Sequence, residues 1–564
     1  MTALAAAGPR TLLDDLLAEQ QALTAVQRFS RQHDREALPA QARYYRDLIP
    51  LTKPQPGEQY AFAVDLDICT GCKACVSACH SLNGLDDDET WRDIGLLHGG
   101  SVEQPWQQTV TTACHHCVEP ACLEGCPVRA YEKDAETGIV RHLDDQCIGC
   151  QYCVLKCPYD VPKYSKKRGI VRKCDMCHSR LAVGEAPACV QACPSGAITI
   201  RIAQTGEIAE AAVPDSHLLP GAFDSSYTKP TTLYTSHRPL PANARPGDSA
   251  ALRLEHAHAP LIGMLVLTQV AAGLFICAAA LAFGDAAAFR AAQAPLAAFA
   301  FAMLNLGLAV SVLHLGRPLG AWRAFLGLRT SWMSREILAF AVFAGSAAAF
   351  TGAAWWKTLA GLLPPLAWVE RFINPAQFAA PLVVVTAALG LLGVWCSAMI
   401  YVDTRRVFWK RELTFTKFFG TALLLGTSGA AAVLGWTAVF TGAALSGVAQ
   451  TFVLLAILIG TALCGWEFHD FRSALSDGHA ANHRSALTVW QLRRPLLFAR
   501  LGSLVVSALF GLLASTSTGA TSAGCATLGF VFALGAQFIE RYFFFTAVVA
   551  PRMPGPLAPS SSHV

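Results

Sequence analysis

The chain has 564 residues, a formal net charge of +4 and only 15% charged residues. An average soluble protein carries about 25% charged residues. With 53% apolar residues and a mean hydropathy of +0.37, the composition excludes a disordered chain and argues against an all-soluble one. So small a net charge gives no ground for a nucleic-acid partner. Sixteen of the 20 cysteines lie between Cys69 and Cys193, and the other four (Cys277, Cys396, Cys464, Cys525) lie in apolar sequence. The pattern predicts a cysteine-rich soluble half followed by a membrane half.

Residues 1–59 form an N-terminal extension. It shows no secretory leader, since no basic region is followed by a long apolar run and a small-residue cleavage site, and it has no twin-arginine pair. Leu12, Leu13, Leu16, Leu17, Leu23, Val26 and Phe29 fall at helical spacing. This predicts either a surface helix packed on its own domain or a docking helix for a partner subunit.

Residues 60–202 hold four cysteine groups. "CTGCKACVSAC" contributes Cys69, Cys72, Cys75 and Cys79, and "CHHCVEPACLEGCP" contributes Cys114, Cys117, Cys122 and Cys126. "CIGCQYCVLKCP" contributes Cys147, Cys150, Cys153 and Cys157. "CDMC" with "CVQACP" contributes Cys174, Cys177, Cys189 and Cys193. The theme is that of bacterial ferredoxins, C-x2-C-x2-C-x3-C-P, in which three thiolates wrap one [4Fe–4S] cluster and the fourth reaches the cluster of a partner run. Structural zinc uses two well-separated C-x2-C pairs, and disulfide frameworks belong to small secreted domains, so neither suits this density. Four clusters are expected, arranged as a wire between distant sites. Nearby Lys73, Lys156, Lys163, Lys166, Lys167, Arg168, Arg172 and Lys173 either offset the anionic clusters or form an ordinary solvated face.

Residues 203–258 are rich in Pro, Ser, Thr and Gly without lasting periodicity and read as an extended strap or linker. Residues 259–564 alternate apolar runs with basic loops. Eight runs of bilayer length fall near 260–283, 295–314, 337–355, 378–401, 418–440, 450–467, 500–516 and 525–548. Eight spans put both ends of this half on the side of the iron–sulfur domain. The loops on that side carry Arg317, Arg323, Arg329, Arg335, Arg405, Arg406, Lys410, Arg411, Lys417, Arg472, Arg484, Arg493, Arg494 and Arg500. The opposite loops carry Arg290, Lys357 and Arg371. Fourteen against three places the cluster side in the cytoplasm by the positive-inside rule. A different cause for the same bias is docking of an acidic iron–sulfur domain, which leaves the periplasmic side open. Glu540 and Arg541 are the charged pair well inside a span and are expected to neutralise each other.

In "HLGRPLGAWRAFLGLRTSWMSREI", His314 ends the second span and Glu336 opens the third. Ionisable groups at a membrane edge are functional candidates. Oxidation of a quinol releases two protons and two electrons, so a boundary His and Glu beside a cluster suit it. The plainer alternative is that both side chains snorkel to interfacial water. Haem b is disfavoured, because none of the sixteen histidines lies mid-span.

On these motifs, residues from about Tyr60 to Ile202 resemble the four-cluster iron–sulfur subunit of the dimethyl sulfoxide reductase family of molybdoenzymes. The His314–Glu336 stretch resembles the membrane anchor of that family. The resemblance implies that the first group pairs with the fourth and the second with the third. One cluster would then be held by Cys69, Cys72, Cys75 and Cys193, another by Cys174, Cys177, Cys189 and Cys79. A third would be held by Cys114, Cys117, Cys122 and Cys157, and the fourth by Cys147, Cys150, Cys153 and Cys126. It also implies menaquinol binding (ubiquinol being the other candidate) at His314 and Glu336, with Arg317 and Arg335 in the same match.

The fold expected is therefore an α+β, ferredoxin-like tandem domain binding four [4Fe–4S] clusters, followed by an all-α bundle of eight transmembrane spans in the inner membrane. The expected function is oxidation of quinol from the membrane pool and delivery of electrons to a separate molybdopterin-containing catalytic subunit. The chain itself shows no terminal catalytic site, neither a Rossmann fingerprint nor a flavin signature. Two rivals are a quinone-reducing subunit run backwards from formate, hydrogen or a sulfur compound, and an ion-translocating module with buried relays across the membrane. The terminal acceptor is not written in this chain.

Overall fold

The computed structural model describes residues 11–21, 24, 26–27, 31, 35, 46–362 and 375–556. Of the N-terminal pattern, Leu12–Gln21 is a helix whose Leu12, Leu13, Leu16 and Leu17 are exposed; Leu23 and Phe29 lie outside the described residues.

The soluble half is built on small antiparallel units. Strand β1 (Glu58–Asp65) pairs antiparallel with β8 (Ile198–Gln204), Tyr60 opposite Ile202 and Phe62 opposite Ile200. The two ends of the cysteine-rich segment are thus closed onto each other. β2 (Asp93–Gly100) and β3 (Pro105–Thr112) form a hairpin between the first and second cysteine groups. The short hairpins β4–β5 (Tyr131–Lys133, Val140–His142) and β6–β7 (Lys163–Ser165, Ile170–Arg172) separate the second from the third group and the third from the fourth.

The strap joins the sheets. Leu233–Thr235 (β9) pairs parallel with β1, and Arg245–Pro246 (β10) pairs with β2. Thr205–Ala211 is a helix. Edge pairing of this kind satisfies backbone groups that a free linker would leave to water.

Eight helices are long and apolar enough to cross a membrane: Ala259–Gly284, Ala286–Val312, Trp332–Ala354, Ala379–Val402, Arg411–Thr441, Ser446–Ser476, Arg494–Thr516 and Gly519–Thr546. Several begin earlier than hydropathy alone indicates. The third takes Ser334, Arg335 and Glu336 into its first turns, and the fifth opens with the charged run from Arg411 to Lys417. Hydropathy marks the lipid-matched length, whereas the hydrogen-bonded helix runs on into the interface. The first span is the central one, buried along most of its length, and packs on the second, fourth and fifth. Its Gly273 meets Gly426 of the fifth span so closely that a Cβ on either would strike the other's backbone. Small residues at such crossings allow helix backbones to touch.

The two halves form one interface. Arg317 N donates to the Ile148 carbonyl (3.0 Å) and Gly327 N to the Pro127 carbonyl (2.8 Å). Tyr152 Oη reaches the Ile400 carbonyl (3.2 Å), and Lys156, buried, pairs with Asp403 at 2.7 Å. Tyr227 of the strap donates to the Asp403 carbonyl (2.9 Å), and Leu96 N donates to the Gly555 carbonyl (3.0 Å). Gly149, in the third cysteine group, has φ +70, and a Cβ there would collide with the backbone of Gly169 and Gly316. The glycine of the "HLGRP" segment is therefore where the anchor loop passes against a cysteine loop.

Candidate iron–sulfur wire and its membrane end

The four cysteine groups fold alike. In each, the third cysteine is the second residue of a short helix: Cys75 in Ala74–Asn83, Cys122 in Ala121–Glu124, Cys153 in Tyr152–Lys156 and Cys189 in Ala188–Gln191. The fourth cysteine follows four residues later in every case. The residue before the second cysteine always has positive φ: Gly71 and Gly149 at +70, His116 at +41 and Met176 at +58. His116 and Met176 have no glycine's freedom, and persistence of such a conformation in side-chain-bearing residues points to a functional constraint. The turn directs backbone N–H groups at sulfur. Gly149 N donates to Cys147 Sγ (3.4 Å) and Met176 N to Cys174 Sγ (3.4 Å). Ala130 N and Ala197 N donate to Cys126 Sγ and Cys193 Sγ, each at 3.2 Å.

The thiols also gather across groups. Burial, then Lys173 and the neighbouring Cys157, Cys114 and Cys117, act on Cys122, which is held well above the usual thiol range. Cys150 is raised by burial and by Cys126 and Cys147. Burial pushes Cys79 up to about 12, with Cys189 and Cys177 beside it. Cys75 is raised by burial and lies near Cys189 and Cys193. All twenty cysteines are free. Among the described residues no three ligand side chains stand close enough to grip a single metal ion. Buried thiols drawn together from different runs, with N–H groups directed at sulfur, fit the iron–sulfur clusters that the cysteine runs predict.

The basic residues divide. Lys173 is buried, with Nζ 3.6 Å from Cys114 Sγ, and Arg172 is buried against Glu89 (3.0 Å) and Trp91. Lys166, Lys167 and Arg168 are exposed on the β6–β7 turn, an ordinary solvated face. Lys73 is also exposed, and Lys163 pairs with Asp160. A further buried cation, Arg92, is not among the basic residues that the sequence singles out. It lies over the Phe62 ring (4.6 Å) and is bonded to Thr111 Oγ1 (3.1 Å). Its pKa is raised, burial opposing and the surrounding Cys189, Cys75, Cys174 and Cys79 prevailing. No local motif marks it.

At the membrane end, Cys126, Cys147 and Cys153 share one apolar core with Ala324, Leu315 and Ile337 of the anchor. Leu315 and Ile337 adjoin His314 and Glu336 in sequence. Glu336 is buried and accepts a hydrogen bond from Ser397 Oγ. His314 is half-buried; its Nδ1 faces the Ser311 carbonyl and its Nε2 has no partner. Burial lowers its pKa. Among the described residues no hydrogen bond or ion pair joins His314 to Glu336. Arg317 donates to the Asp144 carbonyl (2.8 Å), so it docks the two halves. Arg335 braces the loop carbonyls of Leu328 and Arg329 and lies over Trp332 (4.4 Å). His258, another residue that sequence reasoning missed, precedes the first span; burial and the neighbouring His256, His314 and Arg406 hold its pKa down to about 4. The visible signal was the "HAHAP" run.

The intramembrane charges need correction. Glu540 does pair with Arg541 (3.3 Å), but Lys417 of the fifth span is closer (2.9 Å). A second pair, Arg500 with Glu467, joins the seventh and sixth spans. Lys417 reads as a loop residue because the apolar window begins just after it, and Arg500 because it is the charged first residue of its window.

Comparison with known proteins accords with this geometry. A family profile described as "DMSO reductase anchor subunit (DmsC)" matches residues 255–547, and one described as "4Fe-4S dicluster domain" matches residues 106–202. The chain belongs to the dimethyl sulfoxide reductase anchor family, with an iron–sulfur subunit fused ahead of the anchor. The soluble half is 41% identical over 150 residues to a subunit of the anaerobic dimethyl sulfoxide reductase of Haemophilus influenzae, covering 25% of this chain and 73% of the relative. The corresponding subunit of Escherichia coli is 40% identical over 148 residues, covering 25% and 72%. Hydrogenase-2 operon protein HybA of E. coli is 35% identical over 171 residues, covering 26% and 52%. The protein is a multi-pass membrane protein that carries iron–sulfur clusters and transfers electrons in a complex of this family.

Proposed function

We propose that this subunit oxidises a quinol, menaquinol or ubiquinol, at the His314–Glu336 edge and delivers the electrons to a separate molybdopterin-containing catalytic subunit. The observation that carries the reading is the shared core of Cys126, Cys147 and Cys153 with Leu315 and Ile337. It supports the reading because Leu315 and Ile337 adjoin the proposed proton acceptors, His314 and Glu336, in sequence. The ligand sets are those the family resemblance implies: Cys147, Cys150, Cys153 and Cys126 at the membrane; Cys114, Cys117, Cys122 and Cys157 next; then Cys174, Cys177, Cys189 and Cys79; and Cys69, Cys72, Cys75 and Cys193 outermost. The exposure of Cys72 supports that last set as the end facing the catalytic partner.

When bound, the four [4Fe–4S] clusters supply one-electron chemistry at four successive stations. The chain's own residues do the rest. Ser397 orients the Glu336 carboxyl through its hydroxyl hydrogen bond. Neutral His314, with Nε2 unpartnered, accepts a quinol proton. Glu336 accepts the second. Arg317 holds the loop between them on the cysteine domain. Lys173 and Arg92 place buried positive charge near the cysteines, where it offsets the charge of thiolate-ligated iron.

The cluster side is proposed to be cytoplasmic. Arg317, Arg323, Arg406 and Arg484 bind carbonyls of the iron–sulfur half or its strap, and Arg405 lies over Tyr227. Lys417 and Arg500 are paired inside the bundle. Leaving those seven aside, seven basic residues remain on this side against three opposite, so the bias survives the docking explanation. The reverse direction of electron flow is the second reading, favoured by the likeness to HybA and to the formate dehydrogenase-O iron–sulfur subunit of E. coli, the latter 35% identical over 158 residues, covering 25% of this chain and 52% of the relative.

The test is Glu336→Gln and His314→Arg in the purified complex. Quinol-driven cluster reduction should fall by at least about tenfold, an effect of roughly 1.4 kcal/mol or more, while dithionite still reduces every cluster. Unchanged quinol oxidation in both variants rejects the site.

A further inference from the structure

Two connected cavities lie between the fifth, sixth, seventh and eighth spans, away from His314 and Glu336. The first, about 260 Å³, is near the cluster-side ends of the helices and is lined by Lys417, Glu467, Arg500 and Glu540. The second, about 420 Å³, is almost wholly apolar and continues into the membrane between Ala456, Gly460, Val505 and Gly511. Cys464, Phe468 and Leu501 line both. Along the eighth span their lining runs from Ala526 to Phe543, about 26 Å at 1.5 Å per residue, against a hydrocarbon core of about 30 Å.

We infer that this cleft is a second quinone-binding site, holding the ring in the charged chamber and the prenyl tail in the apolar one. Three features fix the class of ligand. The chamber wall includes six aromatic side chains, Phe408, Phe468, Phe471, Trp490, Phe498 and Phe543, and flat rings pack on aromatic faces. Lys417 and Arg500 supply donors for a quinone carbonyl, and Glu467 and Glu540 supply acceptors for a quinol hydroxyl. Arg500 is buried and, among the described residues, its Nε has no hydrogen-bond partner. Finally, both cations are already paired with carboxylates, and Asp470 adds a further negative charge to the lining. No net positive charge is left for a phosphate, which disfavours a phospholipid head, whereas a neutral ring meets donors and acceptors alike. The apolar extension reaches deeper than one leaflet, as a long prenyl chain requires.

The site is independent of the quinol-oxidising edge proposed above. The test is photolabelling of the purified complex with an azido-quinone, with and without excess unlabelled quinone, followed by peptide mapping. Competable labels are expected within 450–474 and 497–511. Ala456→Phe, which fills the cleft, and Val505→Trp, which narrows its lipid-facing mouth, should each lower that labelling by about fivefold at unchanged iron content. Labels confined to 313–337, labelling untouched by both substitutions, or a phospholipid as the molecule displaced by them in native mass spectrometry would each overturn the inference. The Glu336 and His314 variants read the other site separately, so failure of one leaves the other standing.

Discussion

A single imidazole illustrates how position sets chemistry. His314 is held below the ordinary imidazole range by burial, so it is neutral at physiological pH and able to accept a proton. As pH falls through its lowered pKa it becomes charged and loses that capacity. Quinol oxidation should therefore show an acid limb; in Glu336→Gln, which removes the other proposed acceptor, a residual limb at or above about pH 6.5, the unperturbed imidazole value, would rule out His314 as the acceptor. At the cysteines, Lys173 is the residue to test. Its Nζ lies 3.6 Å from Cys114 Sγ, and a buried cation favours the reduced, more anionic cluster. Lys173→Met should lower one midpoint potential, by about 59 mV for each ~1.4 kcal/mol of attraction lost in a one-electron step. Redox titration followed by electron paramagnetic resonance reads the shift, and four unchanged potentials would remove Lys173 from the account. Residues of this kind were partly legible. The sixteen cysteines announce themselves because the C-x2-C turn is a local device. Arg92 acts through distant neighbours and leaves little trace in the sequence around it.

Among the elements, the docking face carries most that the sequence did not disclose. Gly316 falls within the stretch that resembles the family's anchor, yet its reason is the close passage of Gly149 and Gly169, some 150 residues away in the chain. Gly316→Val should part the anchor loop from the third cysteine group. Full iron content with loss of quinol-driven reduction is the expected phenotype, and full quinol activity would show that the contact does not matter. Lys156 and Asp403 form the other seam, with the lysine buried and the aspartate about a third exposed. Breaking a buried pair costs 3–5 kcal/mol, and the partial exposure reduces this to about 1–3 kcal/mol for Lys156→Ala. Thermal unfolding in detergent should register it, and an unchanged transition would mean the seam adds nothing. The spans themselves were readable from hydropathy, all eight of them, while their starts were not. Charged first turns such as Arg411–Lys417 and Ser334–Glu336 are helical but not apolar, and their ion pairs become visible only when helices from distant parts of the chain meet.

For the molecule as a whole, fusion of the two modules sets two anchor loops against one cysteine domain and a third against the strap. On the proposed reading, proton release and cluster reduction fall on the same side of the bilayer. If the acceptor is also reduced there, turnover in proteoliposomes should generate little or no membrane potential. A turnover-linked potential would require a path across the bundle that the charged groups near the cluster-side helix ends do not supply. The order of the wire is the central claim, and substitution at its two ends tests it most directly. With Cys150→Ser, which on the proposed ligand sets removes or converts the cluster nearest the membrane, a menaquinol analogue should fail to reduce the remaining three clusters although dithionite reduces them. With Cys72→Ser, at the outer end, the analogue should still reduce the other three. Undiminished quinol reduction of the remaining clusters in Cys150→Ser, measured by electron paramagnetic resonance at matched iron content, would contradict the account.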